Sequence, residues 1–333
     1  MHITDHINKA AGKTLFSIEI LPPLKGKGIE SVFNGIDPLM EFKPAFIDVT
    51  YHREEFIIRK QADGSEEKVS TKKRPGTVAI CAAIMNKYKV DTVPHLICGG
   101  FNKEETENAL IDLNFLGIDN VLVLRGDNVK HEKMFVPDKN GNKNALELLE
   151  QIQNLNSGKY LDEEINEATA SNFCCGVAGY PEKHYEAVSL DADMAFLKRK
   201  VNAGANFIVT QMFFDNTKYF NFVKRCSEEG INIPIFPGIK PLTNRKQLVG
   251  LSNIFNIEMP QDLTKAVNTA KDEDVKQIGL DWCVQQCKEL KNGGVPVLHF
   301  YTNRKNHRAP NNDLETFGAG IHELMRAVYK TKS

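Results

Sequence analysis

The sequence predicts an α/β chain folded as one (β/α)8 barrel domain over residues 1–333, with short extensions at each end. Three observations predict it. Apolar, β-rich runs alternate with amphipathic stretches, which argues for a parallel sheet with right-handed crossovers. Eight such runs can be counted, enough to close a barrel. The rival architecture, an open doubly wound sheet binding a dinucleotide, should carry GxGxxG after its first strand. Pro22-Pro23-Leu24-Lys25-Gly26-Lys27-Gly28 stands there instead, lacking the third glycine.

The first run, 15–20, is Leu15-Phe16-Ser17-Ile18-Glu19-Ile20. Alternation puts Ser17 and Glu19 on one face and Phe16, Ile18 and Ile20 on the other. Pro22 and Pro23 mark its end, because proline cannot donate to a ladder. Further strands are expected at 45–50, 93–98, 121–125, 174–179, 207–212, 234–239 and 295–301. A helix over 103–116 is capped by Asn102 and closed by Gly117. A second, over 191–203, begins at Asp191 and ends before Gly204. A third, over 273–291, closes at Asn292-Gly293-Gly294. The charged stretch 59–74 shows no periodicity and reads as a mobile loop after the second strand, shielding part of the catalytic face. Residues 131–142 read as a similar loop after the fourth.

Composition narrows the function classes. Of 333 residues, 41% are hydrophobic and 26% charged, and the net charge of -1 leaves no electrostatic footprint for nucleic acid or an anionic membrane. No run has the apolar length of a membrane span, and the N-terminus lacks the regions of a signal peptide, so a cytoplasmic protein is expected. The seven cysteines are odd in number and show no CxxC spacing, so they read as reduced thiols serving as small hydrophobes. Cys283 and Cys287 lie one helical turn apart, but no partner pair completes a zinc site, and no metal is expected.

In a barrel, chemistry collects at the C-terminal ends of the strands. Polar residues fall there repeatedly: Glu19; Asp48, Thr50, Tyr51 and His52; His95; Arg125 and Asp127; Tyr180, Glu182, Lys183 and His184; Thr210 and Gln211; His299 and Tyr301. Each has a plainer reading. Glu19 can be a solvated edge-strand glutamate and His95 a core histidine satisfied by a carbonyl. Arg125 and Asp127 can pair structurally, and Gln211 can merely end a strand. In Lys198-Arg199-Lys200, at least two charges suit a solvated helix face.

Taken in order, FSIEILPP, DVTY, PHLIC, VLVLRGD, GVAGYPEKH, LKRKVNAGANFIVTQMFFD, PGIKP and HFYT resemble the methylenetetrahydrofolate reductases from Leu15 to Tyr301. The resemblance is to the short bacterial form, without a C-terminal regulatory domain. It implies a (β/α)8 barrel with noncovalent FAD, which passes a hydride from NAD(P)H to 5,10-methylenetetrahydrofolate in a ping-pong cycle. It implies folate and nicotinamide substrates, a role in methionine supply, and a homo-oligomer. By motif, Glu19 matches the general acid and Asp127 the aspartate beside the flavin pyrimidine and the pterin. Gln211 matches a pterin-binding glutamine, and Tyr301 and Arg304 fall in the substrate segment. Flavin contacts fall on Thr50, His95, Arg125, Gly126, Asp127, Ala178, Tyr180, His184, Asp193 and Lys200. The family often reads HFYTLNR, one residue longer than the HFYTNR found here, and Leu251 stands where some relatives carry an aromatic.

The implied chemistry suits these residues. Protonating N10 opens the substrate's five-membered ring to an iminium that accepts hydride, so the acid must keep its proton near neutrality. Desolvation at a strand end is expected to raise the pKa of Glu19, while Asp127 stays ionised beside Arg125. Arg125, Lys200 and His184 can meet the pyrophosphate and ribose of FAD. Three alternatives remain: an FAD barrel oxidising an amine, like a proline dehydrogenase relative; a lyase with Arg125 and Lys200 holding phosphate; and a non-catalytic binding subunit.

Overall fold

Each apolar run becomes a strand, and the computed structural model describes residues 1–128, 134–302 and 322–329. The strands are β1 (Leu15–Ile20), β2 (Phe46–Val49), β3 (Glu55–Lys60), β4 (Glu66–Thr71), β5 (Asp91–Ile97), β6 (Asn120–Leu124), β7 (Cys174–Gly179), β8 (Phe207–Thr210), β9 (Ile235–Phe236), β10 (Gly238–Ile239) and β11 (Val297–Tyr301). The helices are α1 (Ile3–Ala10), α2 (Glu30–Ile36), α3 (Thr77–Tyr88), α4 (Lys103–Phe115), α5 (Ala145–Asn156), α6 (Leu190–Asn202), α7 (Asn216–Glu228), α8 (Lys246–Phe255), α9 (Gln261–Thr269) and α10 (Val275–Asn292). Nine of the strands form one parallel sheet in the order β10-β11-β1-β2-β5-β6-β7-β8-β9. Its two ends are consecutive in the chain, separated only by Pro237. β9 bonds to β8 and β10 bonds to β11, so the two halves make one stave and the ring has the eight staves expected.

Pro237 explains the split. It has no N–H to give, while its carbonyl accepts from His299 N at 3.2 Å. The next residue closes the seam: Gly238 N–H donates to Thr210 Oγ1 at 2.9 Å.

The lumen is layered. Phe46, Val93, Leu122, Cys174, Phe207, Phe236 and Val297 form an apolar floor joined by Ile3 of α1. The rings of Phe207 and Phe236 stack at 5.2 Å. Helix α1 is fixed against the N-terminal ends of the strands: Ile3 N donates to Asn120 Oδ1 at 2.9 Å, and Asn120 Nδ2 donates to the Met1 carbonyl at 2.9 Å. Above the floor the inward positions turn polar, with Ser17, Glu19, Asp48, His95, Thr210 and His299 all buried. The larger core lies outside, between the strands and the ring of helices. Leu324, Met325 and Val328, in the helical residues 322–329, join it.

The seven cysteines are buried free thiols, as hydrophobe usage predicts. Helix α4 has a reciprocal cap: Asn102 Oδ1 accepts from Glu105 N at 2.9 Å, and Glu105 Oε2 accepts from Asn102 N at 2.8 Å. Helix α6 starts earlier than expected, because Ser189 rather than Asp191 caps it, accepting from Ala192 N at 3.1 Å.

The stretch 59–74 corrects its sequence reading. It forms most of an antiparallel hairpin of β3 and β4, not an irregular loop. Its regularity lies in cross-strand charge rather than alternation: Lys60 opposes Glu66 and Arg59 opposes Glu67. The turn is built by Asp63, whose Oδ1 accepts from Ser65 N at 2.9 Å, and by Gly64 at φ +84. Its base is tied to the segment after β1, where Arg74 donates to the Pro22 carbonyl and Lys25 N donates to the Lys73 carbonyl at 2.7 Å. Of the expected loop 131–142, residues 131–133 lie outside the described residues. Among the described residues, no helix is long and apolar enough to cross a membrane.

Candidate active site

Glu19 is not a solvated edge residue. Its strand lies between β11 and β2, and the side chain points into the lumen with 5% of its surface exposed. Register sets its neighbours: Asp48 pairs with Glu19 across β1 and β2, and His299 pairs with Ser17 across β1 and β11. His95 arrives from β5. Its Nε2 lies 3.6 Å from Glu19 Oε2 and 3.6 Å from Asp48 Oδ1. His299 presents Nε2 to Glu19 Oε2 at 3.9 Å and Nδ1 to Asp48 Oδ2 at 3.8 Å. Its Nδ1 also meets Ser17 Oγ at 2.9 Å. Two carboxylates and two imidazoles thus form a closed ring in the lumen.

This ring overturns one expectation. Burial does push the Glu19 carboxyl up, and it is the largest single influence. The contact with His299 and the charges of His95, His299 and Lys240 outweigh it and hold the carboxyl below the ordinary glutamate value. For His95, burial disfavours the imidazolium, but Asp48 and Glu19 outweigh that and raise its pKa. The proton is therefore favoured on the imidazole side of the ring. Isolation of Glu19, the premise of the sequence argument, is absent.

The other predicted residues fall into two groups around the mouth. Thr50 lies beside Glu19, its Oγ1 donating to the Ile20 carbonyl at 3.3 Å. Tyr301 donates its hydroxyl to the Thr210 carbonyl at 2.7 Å and meets the His299 ring edge-on at 5.2 Å. Burial, with the charges of Glu19, Asp48 and Tyr180, pushes its phenol well up. Gln211 follows β8, and its Oε1 accepts from Met212 N at 3.0 Å.

The second group lies after β7 and on α6. Ala178, Tyr180, Asp193 and Lys200 line one cavity of about 120 Å³. His184 packs edge-on against Tyr180 at 4.7 Å, and its backbone N–H donates to Asp193 Oδ2 at 2.9 Å. Lys200 is buried while Lys198 and Arg199 are exposed, so two of the three charges are solvated as expected. The Lys200 amine donates to the Ala178 carbonyl at 2.7 Å. Burial pushes its pKa down to about 8, against the pull of Asp193. Arg125 pairs with Glu186, with Nη2 3.1 Å from Oε1, rather than with Asp127. Gly126 sits at φ +88 with a notional Cβ 3.2 Å from the Ile97 side chain, so only glycine suits this turn. Asp127, just beyond, is exposed. Arg304 lies outside the described residues.

The cationic groups on this side of the mouth are ones that could meet the phosphates of a dinucleotide. The buried amine of Lys200, the phenol of Tyr180 and the guanidinium of Arg225 line the small cavity, which shares Pro181 and Leu190 with a larger one of about 730 Å³ also lined by Glu182; Arg125 and His184 stand outside both linings. Arg125 would exchange or share Glu186 to serve an anion. Sequence reasoning assigned no role to Asp48, His299, Ser17 or Lys240. For the first three the signal was parity: each stands two residues before another inward-facing polar residue.

A profile for Methylenetetrahydrofolate reductase matches residues 2–311. The chain is 34% identical over 315 residues to methylenetetrahydrofolate reductase (NADH) 1 of Arabidopsis thaliana, covering 91% of this chain and 48% of that protein. It thus spans about half the length of the plant relatives it matches. With 5,10-methylenetetrahydrofolate reductase of Escherichia coli it is 30% identical over 305 residues, covering 90% of each. In fold it is similar to an uncharacterized protein from Clostridium thermocellum that binds two copies of 5-methyl-5,6,7,8-tetrahydrofolic acid, with a TM-score of 0.57 at 12% identity, covering 97% and 99%.

Proposed function

The chain belongs to the methylenetetrahydrofolate reductase family, and on that footing we propose that it reduces 5,10-methylenetetrahydrofolate to 5-methyltetrahydrofolate with NAD(P)H, through bound FAD, as a cytoplasmic homo-oligomer. The observation that carries the reading is the buried carboxylate of Glu19 at the barrel mouth, 3.6 Å and 3.9 Å from two imidazoles that can supply a proton. FAD, when bound, supplies the hydride relay between the two substrates.

The chain's own residues do the rest. Glu19 delivers a proton to the bridging nitrogen that must leave. Thr50 and His95 would hold the flavin ring, Asp127 and Gln211 would hold the pterin, and Tyr301 would wall the substrate from the His299 side. Ala178, Tyr180, His184 and Asp193 would bind the nucleotide end of FAD, and Arg125 and Lys200 would serve its phosphates.

The test is a titration of the purified protein with FAD. A yellow protein bleached by NADH or NADPH without oxygen, then restored by methylenetetrahydrofolate, supports the reading. A protein that takes up no FAD overturns it; restoration by a quinone alone points to amine oxidation.

Lys200 adds a second expected result. With a pKa of about 8, its amine is half-ionised near that pH. An anionic pyrophosphate favours the charged form, so FAD binding at pH 8 should take up about half a proton. Calorimetry in two buffers of different ionisation enthalpy measures this. Zero uptake would remove Lys200 from the phosphate site.

A further inference from the structure

We propose that Asp48 is a positioning residue for the acid: with Glu19 it holds one proton on the His95–His299 pair, and this ring is the store from which Glu19 is charged. The inference rests on the reading of Glu19 as the acid, but it concerns a group that makes no contact with the mouth.

Geometry carries it. Asp48 and His299 are each 0% exposed, and Glu19 and His95 are each 5% exposed. Each imidazole touches both carboxylates, at 3.6 to 3.9 Å. No hydrogen bond within the usual distance satisfies either oxygen of Asp48, Nε2 of His95 or Nε2 of His299. Their partners are therefore one another, at slightly longer range.

Charge balance points the same way. Two ionised carboxylates in a dry lumen need compensation. The groups facing them are Ser17 and Glu19 from β1, Asp48 and Thr50 from β2, and His95 from β5. The others are Thr210 from β8, Lys240 after β10, and His299 and Tyr301 from β11. The phenol of Tyr301 is held neutral. Lys240 acts on Glu19 through its charge. Protonating one imidazole adds compensation within the ring, and the raised pKa of His95 agrees.

The transfer is simple. The N–H bond at His95 Nε2 breaks, its electron pair stays on the ring, and an O–H bond forms at Glu19 Oε2. Solvent protons recharge the imidazole after Glu19 has given its proton away. The store is full below the raised pKa of His95 and empties as pH rises through it, so folate reduction should fall on that alkaline limb.

The experiment is a pH titration of the holoprotein labelled with 15N-histidine, followed by NMR, on wild type and Asp48→Asn. In the wild type one ring signal of the pair should remain imidazolium at pH 7. Asp48→Asn should lower its midpoint by about one unit or more, and shift the alkaline limb of folate-dependent reoxidation to acid by the same amount. Two neutral rings at pH 7 in the wild type overturn the proposal, whether or not the variant folds. An unmoved midpoint in the variant does so too. If the wild type turns over no folate while the NMR shift is intact, the functional reading fails and the proton store stands.

Discussion

Glu19→Gln should cut the proposed folate-dependent reoxidation of the reduced enzyme by about 10²–10⁴-fold, the usual worth of a positioned general acid. Reduction by NAD(P)H should be slowed far less, since hydride transfer to a bound flavin would need no proton from Glu19. The glutamine keeps the length of Glu19 and the backbone carbonyl that accepts from Thr302. It cannot accept a proton from His95 or His299, at 3.6 and 3.9 Å, or hand one on. Stopped-flow measurement of each half separates the two rates. Folate reoxidation near the wild-type rate would show that the acid lies elsewhere.

Gly238→Ala has the largest expected effect on the fold. A methyl there would fall within the contact radius of the Thr210 carbonyl oxygen and 2.5 Å from the Tyr301 ring. The first of these is backbone and cannot swing away. Moving either partner breaks the 2.7 Å hydrogen bond between Tyr301 and the Thr210 carbonyl, and threatens the 2.9 Å bond from Gly238 N to Thr210 Oγ1. Overpacking of about 1–3 kcal/mol and the loss of a buried hydrogen bond, about 1–3 kcal/mol, add to roughly 2–6 kcal/mol. Thermal unfolding should shift down by about 3–8 °C. A melting temperature within about 2 °C of wild type would mean the seam has slack that the geometry does not show.

The eight staves were legible because each is a short apolar run, and burial on both faces leaves little else such a run can become. The split at Pro237 was legible in principle, since a proline inside 234–239 removes a ladder donor. The β3–β4 hairpin was hidden because its order is between strands: Lys60 against Glu66 is visible only once the register is known. The site residues of the mouth were legible one by one, as polar residues at strand ends. Their electrostatics were not. Ser17 and His299 are 282 positions apart and touch at 2.9 Å. Desolvation, which acts on Glu19 alone, can be inferred from one strand. The histidines and Lys240 that reverse its effect come from staves the local sequence does not mention.

Helix α1 and the aromatic floor beneath the polar ring have a kinetic consequence. They make the lumen a cul-de-sac, so on the proposed function hydrons would enter and leave by the same doorway as the folate. The ring would then not be refilled from below while the doorway is blocked, and each cycle would spend what was loaded before the substrate arrived. Enzyme equilibrated in D2O and mixed into H2O with excess folate should carry the heavy isotope through its first turnover and lose it by the second. An isotope effect absent from that first turnover would mean that hydrons leak in by another path.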